Sequence, residues 1–221
     1  MCGRFTLAEL PGPLLEFLGL DVPPPAPRYN IAPTQPVLAV VNDRHGGGIA
    51  LQALHWGLVP FWAKDKKMAA RMINARSETA AEKPAFRAAL RYRRCLVPAS
   101  GFYEWKKEGR GKAPHYFVPA VSGDPLVMAG LWEDWECNGE HLRSLAILTV
   151  GANVDVASVH DRMPVILPPE SWAGWLDADV QRVDAVAPLL CSAPAGGLRS
   201  WRVGGGVNSV FAEGAGLIEG E

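Results

Sequence analysis

Residues 94–105 read RCLVPASGFYEW. Residues 95–98 and 102–105 are short runs of apolar, β-branched and aromatic side chains. The small residues Ala99, Ser100 and Gly101 between them mark a turn. Downstream, 115–118, 126–132 and 145–150 have the same character, with hairpin loops expected at 106–113 and 136–140. Upstream, 37–41 is an apolar run typical of a buried strand. It ends at Asn42-Asp43 and the glycines 46–48, and the alternating stretch 51–56 should pair with it. Further strands are expected at 165–167 and 198–203. Helical signals are fewer: 80–91 with Pro84 near its first turn, 153–159, 169–176 opened by two prolines, and 185–191.

The proline-rich segment 22–36, VPPPAPRYNIAPTQP, cannot be helical and reads as an ordered extended stretch. The tail at about 209–221 is glycine-rich and expected to be flexible. Strands and helices mix without βαβ alternation, and no repeat appears. The fold class predicted is therefore α+β: one domain over 1–221, an antiparallel barrel-like core flanked by helices.

The chain has 221 residues, 48% hydrophobic and 20% charged, which suits a globular core and excludes a disordered chain. No apolar run approaches the roughly 20 residues of a membrane span. The stretch MCGRFTLAEL lacks a basic segment followed by an apolar one, so no signal peptide is read, and a cytoplasmic monomer is expected. The four cysteines (Cys2, Cys95, Cys137, Cys191) form no CxxC pair, and the five histidines lack ligand spacing. No metal and no cofactor are predicted. Cys95 and Cys191, in apolar surroundings, are expected to be buried free thiols.

The formal net charge is −1, which argues against a general nucleic-acid coat protein. Yet residues 64–94 hold ten Lys and Arg against Asp65, Glu78 and Glu82, a local excess of seven positive charges. Such a stretch is either a solvated face or a surface that tracks phosphates.

Cys2 follows Met1 directly. With Met1 removed, its α-amine and thiol would sit on adjacent carbons and could close a thiazolidine on an aldehyde. An α-amine with pKa about 7.8 is roughly one-third neutral at about pH 7.5, and only the neutral form attacks. Three further residues could serve that chemistry. Asn74 lies in MINARSET, whose polar residues alternate as on an extended segment. Glu104 lies among rings in GFYEW, where desolvation would raise its pKa toward the acid–base range. His160 lies in VHDRMPVIL and carries the side chain best matched to proton transfer near neutrality. Each taken alone also reads as an ordinary structural residue. Trp56, Trp62 and Trp105 read as core residues or as platforms for unpaired bases.

Seven motifs in order carry a resemblance: MCGR, YNIAPTQ (29–35), WGLVPFW (56–62), NARSET (74–79), RCLVPASGFYEW (94–105), AGLW (129–132) and HDRMPVIL (160–167). The chain resembles the SRAP family, named for SOS-response-associated peptidase, from residue 1 to about 210. Near that end it also has the family's Val207-Asn208 pair.

The resemblance implies a single α+β domain with a barrel-like core and a basic groove. It also implies recognition of abasic sites in single-stranded DNA, and a covalent DNA–protein crosslink through the N-terminal cysteine that shields the lesion. By motif, Cys2 is the nucleophile and Asn74, Glu104 and His160 its partners. Arg4, Arg76 and Arg162 fall at positions expected to hold DNA, and the residues' own character adds Trp62 and Trp105 as DNA-binding rings. The family name comes from a proposed autoproteolysis, so a hydrolase reading with Cys2 as nucleophile and His160 as base stays open beside imine and lyase-type chemistry.

Overall fold

The computed structural model describes residues 2–21, 23–43 and 47–221. Met1, with the predicted dependence on its removal, and part of the glycine loop lie outside the described residues. The chain forms strands β1 (Arg4–Leu7), β2 (Arg28–Ile31), β3 (Pro36–Asp43), β4 (Gly48–Trp56), β5 (Asn74–Arg76) and β6 (Arg94–Ala99). These are followed by β7 (Gly101–Glu108), β8 (Gly111–Pro119), β9 (Leu126–Cys137), β10 (Glu140–Gly151), β11 (Arg162–Pro164) and β12 (Leu198–Arg202). Among the described residues, six short α-helices accompany them: α1 (Gly12–Leu18), α2 (Ser77–Ala80), α3 (Arg87–Tyr92), α4 (Val154–Ala157), α5 (Trp172–Leu176) and α6 (Val183–Val186).

Two sheets result. In one, β10, β4, β3, β6 and β9 pair in that order, and β9 pairs back to β10, which closes a five-stranded barrel. In the other, β12, β8, β7, β1 and β2 form an open antiparallel sheet. Only Ser100 separates β6 from β7, so the quoted stretch is the corner where the chain leaves the barrel for the open sheet.

Two pairings depart from the antiparallel expectation. β4 joins β10 in parallel, with Ser144 opposite His55, and β5 adds to β10 in parallel, with Ile147 opposite Asn74. Both approach β10 from distant sequence, so no hairpin turn dictates their direction. The β9–β10 ladder stops at Gly130 and Ile147, and β11 takes over at Thr149–Gly151. Thr149 is thus opposite Arg76 on one side and Pro164 on the other. The end of β10 therefore carries the Asn74 segment on one edge and the segment after His160 on the other.

Phe5, Trp56, Phe102 and Phe117 pack in the main core, Phe5 edge-on to Trp56 at 5.2 Å and Phe102 stacked on Phe117 at 5.1 Å. Leu14, Leu90, Trp172 and Trp175 from α1, α3 and α5 form a second cluster. Two strand glycines are fixed by close packing. A Cβ at Gly101 would lie 2.4 Å from the Tyr116 ring, and one at Gly130 would lie 2.7 Å from Cys95 Sγ.

Several expectations change. The 106–113 loop is a tight turn, because β7 and β8 stay paired out to Glu108 and Gly111. The helix expected at 80–91 splits into α2 and α3. Pro84 offers no N–H and disfavours helical geometry at the residue before it, so turns occupy the space between. The strand expected at 165–167 is one bridge at Ile166, and the ordered strand precedes it. Cys95 is buried, but Cys191 is exposed.

The tail is tied down rather than loose. Asn30 Nδ2 donates to the carbonyls of Ser209 and Ala212 at 2.8 Å each, Trp201 Nε1 donates to Ile218 O at 2.8 Å, and Gly220 bridges to Val203.

Candidate functional site at the junction of the two sheets

Cys2 precedes β1 and is fully buried. Asn74 Nδ2 donates to the Cys2 carbonyl at 2.8 Å, which holds residue 2 against the end of the barrel. Asn74 Oδ1 is buried and has no hydrogen-bond partner among the described residues, so an acceptor is left beside Cys2. Burial pushes the Cys2 thiol far above its ordinary range, and the Glu104 charge adds to this. A backbone hydrogen bond from Arg4 works against it. The resting sulfur is therefore a thiol, and acting as a nucleophile would require it to lose its proton.

Glu104 lies on β7 with its side chain almost wholly buried. Burial raises its carboxyl to about 7, the value that suits a group giving and taking protons near neutrality. His160 Nε2 lies 3.9 Å from Glu104 Oε2. Burial lowers the His160 pKa, so the ring is neutral at neutral pH.

The Arg162 backbone N–H donates to His160 Nδ1 at 3.0 Å, which requires a lone pair there and leaves the proton on Nε2, toward Glu104. The Asp161 carboxylate, also 3.0 Å from Nδ1, favours the opposite tautomer. The backbone contact decides, because the Asp161 side chain is 86% exposed and free to turn away.

A cavity of about 490 Å³ opens here, lined by Arg4, Glu104, Trp105, Lys112, His160 and Asn208. Arg4 donates through Nη1 to Asn30 Oδ1 at 2.7 Å and to Val207 O at 2.6 Å. It thereby pins the Val207-Asn208 turn as one wall. Trp105 Nε1 donates to Asn208 Oδ1 at 2.8 Å. Of the residues singled out in the sequence, Cys2 and Asn74 meet directly, and Arg4, Glu104, Trp105 and His160 share the cavity. Arg76 is exposed at the end of β5 and Trp62 is 47% exposed beside exposed Phe61, both outside the cavity lining.

Arg162 grips Glu78 with both guanidinium nitrogens, at 2.5 and 2.9 Å, and donates to Thr149 O at 2.6 Å. It ties α2 to β10. The basic stretch 64–94 is less available than its count implies. Arg94 is buried on the carbonyls of Leu90, Arg91, Trp175 and Asp177, and Arg93 pairs with Glu133 at 2.5 Å. Trp56 is wholly a core residue, its N–H donated to Ile73 O at 2.9 Å. Sequence reasoning did not single out Lys112, and it noted Asn208 only as half of a motif.

A cysteine at residue 2 is thus held by an asparagine beside a buried glutamate and a partly exposed histidine, where a closed barrel meets an open sheet. The model of the SOS response associated peptidase (SRAP) family matches residues 1–210, and the chain belongs to that family. Over its whole length it is 39% identical to the abasic site processing protein YoaM of Bacillus subtilis, and the match covers 99% of that protein. It is 32% identical to the abasic site processing protein YedK of Escherichia coli, with 99% of each chain covered. The fold is shared with a crystal structure of a Bacteroides thetaiotaomicron protein at TM-score 0.86 and 22% identity, with both chains fully covered.

Proposed function

We propose that this protein senses abasic sites in single-stranded DNA and, once Met1 is removed, captures them covalently through Cys2. The single observation carrying this reading is the placement of residue 2. Its carbonyl is fixed by Asn74, and its thiol lies within the electrostatic reach of a Glu104 poised near neutrality. The names of the relatives point to the same substrate.

A ring-opened abasic sugar presents an aldehyde at C1′. The neutral Cys2 amine adds to C1′, and the carbinolamine loses water to give an imine. Protonated Glu104, with His160 beside it, supplies the proton that helps the hydroxyl leave. Loss of water leaves the imine protonated. Glu104 as carboxylate then takes the thiol proton as sulfur bonds to C1′. The nitrogen keeps its proton and takes the C=N electron pair to become the ring amine of a thiazolidine. Burial of the thiol keeps it from reacting earlier, so amine attack comes first. Ring closure removes the imine, the species open to hydrolysis and to β-elimination that would cut the strand. The Asn74 Oδ1 acceptor supports the reading, since an incoming ammonium or sugar hydroxyl would satisfy it.

The test uses mature protein, abasic single-stranded DNA and a denaturing gel. Wild type gives a shifted band that survives denaturation. Cys2→Ala keeps imine chemistry and gives no lasting band. A Cys2→Ala adduct as durable as wild type contradicts the mechanism. Cleavage of unrelated peptides, with no DNA adduct, would favour the peptidase reading instead. Binding before capture should weaken as salt rises, through the exposed basic residues of 64–94, while the ring of Trp62 stacks on an unpaired base.

A further inference from the structure

Strand register gives the cavity a second half that the capture chemistry does not use. Arg4 is opposite Tyr103 across β1 and β7, and Lys107 is opposite Lys112 across β7 and β8. Side chains alternate along a strand, so Arg4, Tyr103, Trp105, Lys107 and Lys112 share one face of the open sheet. Like charges directly opposite in a sheet repel and destabilise it. Here two exposed lysines face each other, and Glu108, the carboxylate next in the hairpin, is 3.1 Å from Arg202 instead.

The Arg4 hydrogen-bond partners Asn30, Val207 and Asn208 are neutral, so they leave its charge uncancelled. Asn208 accepts from Trp105 through Oδ1, so the group it offers the cavity is its Nδ2 donor. One side of the cavity thus holds the acid–base pair, and the other holds only cations and hydrogen-bond donors.

We propose that Lys112, Lys107 and the Asn208 amide form a subsite for the phosphodiester next to the reacting sugar. The phosphate sits between the two lysines, relieves their repulsion, and presents C1′ to Glu104 and Cys2. This rests on reading the cavity as a site for abasic DNA, and the experiment separates the two claims.

Binding is measured by fluorescence anisotropy, using single-stranded DNA that carries a tetrahydrofuran abasic analogue. The analogue has no aldehyde and cannot be crosslinked. Over roughly 50–200 mM salt, Lys112→Ala and Lys107→Ala each weaken binding several-fold. Removing both lysines together reduces the slope of log affinity against log salt by about 0.7, the value for one single-strand phosphate contact, and each single variant removes part of that. Asn208→Asp keeps the oxygen that Trp105 uses and replaces the donor with a negative charge; it weakens binding too. Arg182→Ala, which removes an exposed cation paired with Asp184, leaves the slope unchanged.

An unchanged slope in Lys112→Ala overturns the subsite. So does an equal loss in Arg182→Ala, which would mean that bulk charge alone matters. If wild type fails to crosslink true abasic DNA while the lysine slopes fall as stated, the capture reading is lost and the subsite stands.

Discussion

The barrel and the open sheet divide the work differently. The barrel closes on itself through β9–β10 and β4–β10, so it has no free edge and its residues hold fixed positions. Its strand β10 carries β5, with Asn74, on one edge and β11, with His160 in the turn before it, on the other. The open sheet has edges, and its β7–β8 hairpin projects past the end of β1. It contributes Glu104, Trp105, Arg4 and the lysines. Cys2 lies between the two, on the approach to β1. Placement thus comes from strands anchored on the closed ring, whereas charge and access come from the sheet that stays open.

Substitutions on the two sides should separate these contributions. Glu104→Gln removes the acid–base group and should slow adduct formation at least about 10²-fold, with loss of the pH dependence centred near 7. Asn74→Ala removes the strut on the Cys2 carbonyl. It should slow capture about tenfold or more while the pH profile keeps its shape. Rates from quenched time courses across pH check both. An Asn74→Ala profile that shifts like that of Glu104→Gln would break the division.

Stability probes follow. Gly101→Ala drives a Cβ against the Tyr116 ring and the Phe117 carbonyl. It should cost about 3 kcal/mol in urea unfolding. The Glu104 carboxyl has a higher pKa folded than unfolded, so the folded state binds its proton more tightly. Stability should therefore fall as pH rises, by about 2 kcal/mol between roughly pH 5 and pH 7. Glu104→Gln should lack this fall. The smallest effect is Glu78→Gln, which weakens the grip on a mostly buried Arg162 from a half-exposed carboxylate. Chemical denaturation should register about 1 kcal/mol or less.

The sequence made some of this legible and hid the rest for physical reasons. The strands around 95–105 and 37–56 announce themselves because apolar runs and turn residues are local signals. The parallel joins of β4 and β5 to β10 have no local signal, since each links segments some 70 to 90 residues apart. Pro84, near the first turn of the helix expected at 80–91, lies instead in the turns that separate α2 from α3.

Asn74, Glu104 and His160 looked ordinary one at a time, and only the ordered motifs of the family drew them together. Lys112 carried no motif at all. Its place in the cavity comes from hairpin register, which the expected long loop at 106–113 concealed. Arg94 shows the converse limit: counted as surface charge, it is buried on four carbonyls.

The central claim is that capture uses the amine and the thiol of the same residue. Two preparations of the wild-type sequence test it most directly, one starting at Cys2 and one retaining Met1. Each is incubated with abasic single-stranded DNA and run on a denaturing gel without any reducing agent to trap an imine. The first preparation should give a stable adduct and the second none. Equal stable adduct from the protein that keeps Met1 would contradict it.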